Sequence, residues 1–135
     1  MNIIDKKDLL SSLVPVLREK AEFALLFGSA ASGRTTEESD IDIGVYLREP
    51  KINYDEYAEL IFRLNEATDR DIDLIIMNTC DIIIVMQILA NGEVIINNNP
   101  AAFVLYKAGK IGEYIDFKMD RKIIEDSMLK GRIYA

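Results

Sequence analysis

The chain has 135 residues, enough for one domain built round one hydrophobic core. It carries 16 Lys and Arg against 23 Asp and Glu, a net charge of −7, with no histidine and one cysteine. This excludes Ser-His-Asp and Cys-His catalytic pairs, His-ligated zinc or haem, an internal disulfide and a CxxC site, and it argues against non-specific binding to duplex nucleic acid, which needs a basic footprint.

The N-terminal stretch has Lys6 and Lys7 but no apolar core of signal-peptide length, and with the lone cysteine this makes the cytoplasm the default compartment. Over 6–20, the spacing of Leu9, Leu10, Leu13, Val14, Val16 and Leu17 predicts an amphipathic helix. Pro15 removes a backbone donor and predicts a kink there, or a second helical turn starting there. The apolar run 22–27, ending at Gly28, predicts a buried strand. Small polar residues over 29–39 predict a loop that opens with a short helix over Ala30 and Ala31.

Residues 40–47 predict a second strand, with Asp40 and Asp42 on one face and Ile41 and Ile43 on the other. Tyr57, Leu60, Ile61 and Leu64 mark a helix over 54–67, and 71–77 predict a third strand beginning Asp71-Ile72-Asp73. Asn78 or Thr79 is placed to cap a helix running to Ala90 and stopped by Gly92, although the β-branched run 82–85 keeps a strand open there. The near-continuous apolar run 82–90 is far short of the roughly 20 residues a membrane span needs. A short strand over 93–96 and a turn at 97–100 lead into a final helix, with Asn99 as cap and Pro100 as first residue. Strands alternating with helices in this order define an α/β protein. The expected organisation is one domain over 1–135, with a core of about 1–98 and a C-terminal helical extension of about 99–135.

Three of these strands carry the residues of interest: the first ends in Phe27-Gly28-Ser29, the second begins Ser39-Asp40-Ile41-Asp42, and the third begins Asp71-Ile72-Asp73. Alternate carboxylates in an apolar strand lose hydration and repel one another at about 7 Å along one face. A divalent cation relieves both costs, and Mg²⁺ is held by one or two carboxylates plus substrate phosphates. A further carboxylate on a neighbouring strand is suited to activate an attacking hydroxyl. Gly28 allows close backbone approach to a phosphate and Ser29 adds a hydroxyl, while Gly33-Arg34 offers a bend and a guanidinium. These residues point to metal-assisted phosphoryl or nucleotidyl transfer.

The pattern resembles the polymerase beta-type nucleotidyltransferase superfamily, and more narrowly its minimal nucleotidyltransferase (MNT) branch, antitoxins found beside HEPN-domain toxins. It reads Gly28-Ser29, three residues, Gly33, five residues, then Ser39-Asp40-Ile41-Asp42-Ile43-Gly44-Val45, with Asp73-Leu74-Ile75-Ile76 as the third element. The resemblance implies a small mixed β-sheet with helices packed on it. It implies that Gly28 and Ser29, with Ser39 and Arg34, hold the triphosphate of ATP. It further implies that Asp40, Asp42 and Asp73 form an acidic triad for one or two Mg²⁺ ions, Asp73 helping to activate the acceptor hydroxyl. Ser32 stands where many relatives carry a basic residue, so Arg34 is open between a phosphate contact and a solvated loop charge. Asp71 shares a strand face with Asp73 and is read as a solvated strand-end acid. Cys80 is read as a small packed residue.

The implied activity is transfer of AMP from ATP to a tyrosine of a partner HEPN-type toxin, which neutralises it. The short chain leaves little room for an acceptor-binding domain, which favours a protein acceptor and a hetero-oligomer, with a homo-oligomer also open. Two rivals are an antitoxin acting by binding alone and a nucleotidyltransferase for a small aminoglycoside-like acceptor. The many apolar residues after Ala101 predict a helix that packs on the sheet and offers part of its surface to another chain, although Gly109 and Gly112 weaken it in isolation.

Overall fold

The computed structural model describes residues 6–28 and 40–134. In chain order it forms α1 (Lys6–Arg18), β1 (Ala21–Phe27), β2 (Ile41–Leu47), α2 (Tyr54–Thr68), β3 (Ile72–Ile76), α3 (Ile82–Asn91), β4 (Glu93–Asn97) and α4 (Pro100–Tyr134). The four strands lie in the order β3-β2-β1-β4. β1 is antiparallel to both β2 and β4, and β2 is parallel to β3. This is the mixed sheet of the expected α/β class.

Alternation along the strands splits the core in two. Ala24 and Leu26 of β1, Ile41, Ile43 and Val45 of β2, and Ile72 and Leu74 of β3 meet Leu9, Leu13 and Leu17 of α1 and Leu60 and Leu64 of α2. The opposite face carries Phe23, Leu25, Met77, Ile88 and Phe103, so α3 and the start of α4 cover that side. The acids of β2 and β3 share the second face, because they sit one residue out of phase with the first set.

Several expectations change in detail. α1 runs as one element through Pro15. Leu13 and Leu17 are fully buried on either side of it, while the proline itself is exposed, so solvent can satisfy the carbonyl it frees. Residues 82–91 are helical, which settles the strand alternative, and the cap is Asp81, whose side chain accepts the Ile83 N–H. Asn78 is occupied elsewhere: its side chain accepts the Leu47 N–H at 2.8 Å and donates to the Leu47 carbonyl at 3.1 Å. Gly92 does end α3, but in extended backbone. Glycine is needed because a Cβ there would run into the Ile88 carbonyl. The expected loop and short helix over 29–39 lie outside the described residues.

α4 is 35 residues long, about 52 Å at the usual rise. Among the described side chains, packing on the core is confined to its first turns. Phe103 stacks on Phe23 at 4.7 Å, and the Tyr106 hydroxyl donates to the Met77 carbonyl at 2.8 Å. Further along, Ile111, Ile115, Phe117, Met119 and Ile123 are exposed. Among the described residues, no helix is long and apolar enough to cross a membrane.

Candidate active site

β1 delivers the chain to the site and β2 returns from it. Phe27, the last residue of β1, pairs with Asp42. Gly28 then turns at φ +69°, a left-handed conformation that costs little only for glycine. A Cβ on Gly28 would also collide with Asp42 Oδ2. Glycine is therefore required twice over, for the turn and for the closeness of the carboxylate.

Asp40 is exposed just ahead of β2. The Ile41 N–H donates to the Asp71 carbonyl at 2.9 Å, which ties the start of β2 to the start of β3. From there the parallel register brings Asp42 opposite Asp73. The two carboxyl groups are within hydrogen-bonding reach of each other. Asp42 is half-buried and Asp73 exposed. The Asp42 carboxyl is held above its ordinary range by burial first, then by the charges of Asp73 and Asp40, and last by its hydrogen bond with Asp73.

Thus Asp42 and Asp73 come into contact, while Asp40 acts on Asp42 through its charge. Among the described residues no three acidic or thiol groups close into a ready-made metal cage. The donors present are all carboxylate oxygens, and Asp42, raised by burial first, also feels the negative charges of Asp73 and Asp40. Both fit an ion such as Mg²⁺, which keeps part of its water and takes further oxygens from phosphates. Asp71 contributes its backbone to the sheet. Ser29, Gly33, Arg34 and Ser39 lie outside the described residues. Cys80 is part-buried, and burial first raises its thiol, in line with a packed, unreactive residue.

Gly44 belongs to the same motif. It lies two residues beyond Asp42 on the same face, where a Cβ would meet Met77 Sδ at 3.0 Å and Ile88 Cδ1 at 3.1 Å. α3 therefore sits directly on the strand beside the acids. A glycine inside a strand that otherwise carries large side chains was the signal that could have identified this approach.

A left-handed glycine turn beside paired carboxylates, on a mixed sheet of this order, is the arrangement of a nucleotidyltransferase. The polymerase beta nucleotidyltransferase family model matches residues 12–101, and the chain belongs to that family. A putative protein adenylyltransferase of Methanocaldococcus jannaschii is 40% identical over 72 residues, covering 51% of this chain and 72% of the relative. Among solved structures, a toxin–antitoxin with AMP-PNP superposes with a TM-score of 0.76 at 24% identity, over 89% of this chain and 98% of that one. A complex of tri-AMPylated Shewanella oneidensis HEPN toxin with MNT antitoxin gives 0.73 at 22% identity, over 93% and 99%. An MntA–HepT toxin–antitoxin gives 0.72 at 22%, over 91% and 98%. At these identities the structural likenesses establish the fold.

Proposed function

We propose that this nucleotidyltransferase is an antitoxin that transfers AMP from ATP to a tyrosine hydroxyl of a HEPN-type toxin and so neutralises it. The observation that carries the reading is the contact of Asp42 with Asp73 beside the Gly28 turn. Kinship with a putative protein adenylyltransferase and likeness to toxin–antitoxin complexes support the choice of acceptor.

In this reading Gly28 and Ser29 cradle the triphosphate, together with Ser39 and Arg34. Asp40 and Asp42 would hold Mg²⁺, with Asp73 as the third carboxylate; bound there, the ion neutralises phosphate charge in the transition state. Asp73 accepts the proton of the tyrosine hydroxyl. The phenolic oxygen bonds to the α-phosphorus, the bond to the bridging oxygen breaks, and pyrophosphate leaves. Residues 1–135 act as one unit, and the exposed apolar side of α4 receives the toxin in a cytoplasmic hetero-oligomer.

The test is incubation of the chain with labelled ATP, Mg²⁺ and the toxin. Label on a toxin tyrosine is expected, and its loss in the Asp40→Asn/Asp42→Asn double variant. An unlabelled toxin, under conditions where the two proteins bind, overturns the reading. A double variant that still protects cells fully at native expression moves the mechanism to binding alone.

A further inference from the structure

The two sides of β3 are held in different ways. Toward β2, the Asp71 carbonyl accepts the Ile41 N–H, and the Met77 N–H donates to the Val45 carbonyl at 2.8 Å. In a parallel ladder, residues of one parity turn both backbone groups to the same neighbour. Asp73 shares that parity, so its backbone faces β2. Ile72 and Leu74 turn theirs outward, where no strand follows, because β3 ends the sheet. α2 takes both. The Ile72 N–H donates to Asn65 Oδ1 at 3.0 Å, and the Tyr57 hydroxyl donates to the Leu74 carbonyl at 2.8 Å. These two bonds flank Asp73 in sequence.

An edge strand with open backbone groups is free to fray or slip. A slip of one residue would turn Asp73 to the opposite face of the sheet. Leu60 and Leu64, both buried, already dock α2 on the sheet, so Tyr57 and Asn65 are not needed to attach the helix. What their polar groups add is a fixed position along the strand. We propose that Tyr57 and Asn65 are positioning residues for nucleotidyl transfer: they clamp the outer edge of β3 so that Asp73 stays in register with Asp42. This rests on the reading of Asp73 as the third carboxylate.

The experiment compares Tyr57→Phe, Asn65→Leu and Asn65→Asp with the wild type in the toxin-labelling reaction. All are assayed as full-length chains well below their melting temperatures. The Tyr57→Phe and Asn65→Leu variants are expected to lose about tenfold in kcat, the scale of a small misplacement of a reacting group, while KM for ATP stays within about twofold. Hydrogen exchange at the Ile72 amide should speed up in Asn65→Leu. The Asn65→Asp variant keeps an acceptor for that amide and should recover most of kcat. Wild-type kcat in both Tyr57→Phe and Asn65→Leu, with Asp73→Asn inactive, overturns the clamp alone. Full activity in Asp73→Asn overturns the reading of Asp73 and the clamp with it.

Discussion

Asp42 and Asp73 face each other across the parallel pair β2–β3 at matched positions of the register, with their carboxyl groups in contact. Two like charges so placed oppose the fold unless a proton or a cation stands between them. The Asp42→Asn variant should therefore be more stable than the metal-free wild type, while the proposed mechanism requires that it lose transfer. The folded carboxyl holds its proton more tightly than the unfolded one, so this site costs the wild type stability as pH rises above the ordinary carboxylate range. The gain from substitution should thus be present at pH 7 and vanish near pH 3. Asp42 is only half-buried, so solvent screening limits the gain to about 1 kcal/mol or less. Thermal melts in chelator at the two pH values measure it, and an equal gain at both would remove the electrostatic cause.

Gly28→Ala should fail for two separable reasons. The left-handed backbone costs a side-chain-bearing residue roughly 1–2 kcal/mol, and the new Cβ displaces the Asp42 carboxylate. Melting temperature and labelling of the toxin should fall together. Gly112→Ala is the contrast, since nothing lies within 4 Å of the added atom. In α4 it should raise helix stability by about 1 kcal/mol and leave transfer intact.

The Gly28-Ser29 to Asp40-x-Asp42 spacing and the third acid were legible in the sequence, because each needs only residue type and distance along the chain. The element order was legible for the same reason: periodicity is a local property. What escaped depends on partners distant in sequence. Asn78 looked like a helix cap, yet it serves the backbone of Leu47, a strand away. Pro15 looked like a break, yet buried leucines on both sides hold the helix through it. Tyr57 and Asn65 carry no motif, since their role exists only once β3 lies at an edge. The extent of α4 left uncovered depends on where the core ends, which composition does not mark.

Tyr106 joins α4 to the sheet through its bond to the Met77 carbonyl and its edge-on contacts with Phe23 and Tyr46. Tyr106→Phe should cost about 1 kcal/mol, the usual net value of one such bond. Burial first, then the neighbouring Cys80, Tyr46 and Glu113, raises its phenol well above the ordinary tyrosine value. The folded state then keeps a proton that the unfolded state gives up. The contribution of this phenol to stability should be flat below about pH 10 and fall above it. Urea unfolding between pH 8 and 11 should show a shallower alkaline decline in Tyr106→Phe. Tyr57, raised by burial and by Asp73, and the Cys80 thiol, raised by burial, leave part of that decline in place.

The exposed side of α4 provides the last prediction. Ile115, Met119 and Ile123 are 52%, 59% and 61% exposed and recur every fourth residue, so they form one stripe along the helix. Side chains this open contribute little to the fold of the isolated chain. Ile115→Glu combined with Ile123→Lys should therefore leave its stability within about 0.5 kcal/mol. If the stripe seats the toxin, the same pair of changes places charges in an apolar contact and should weaken binding at least tenfold, about 1.4 kcal/mol. Labelling of the toxin should fall in parallel at low toxin concentration and recover as the concentration rises, because the acids on β2 and β3 are untouched. Calorimetric titration separates the outcomes: unchanged affinity would take α4 out of the interface, whereas lost affinity with kcat preserved at saturation would assign α4 to holding the acceptor and leave the chemistry to Asp42 and Asp73.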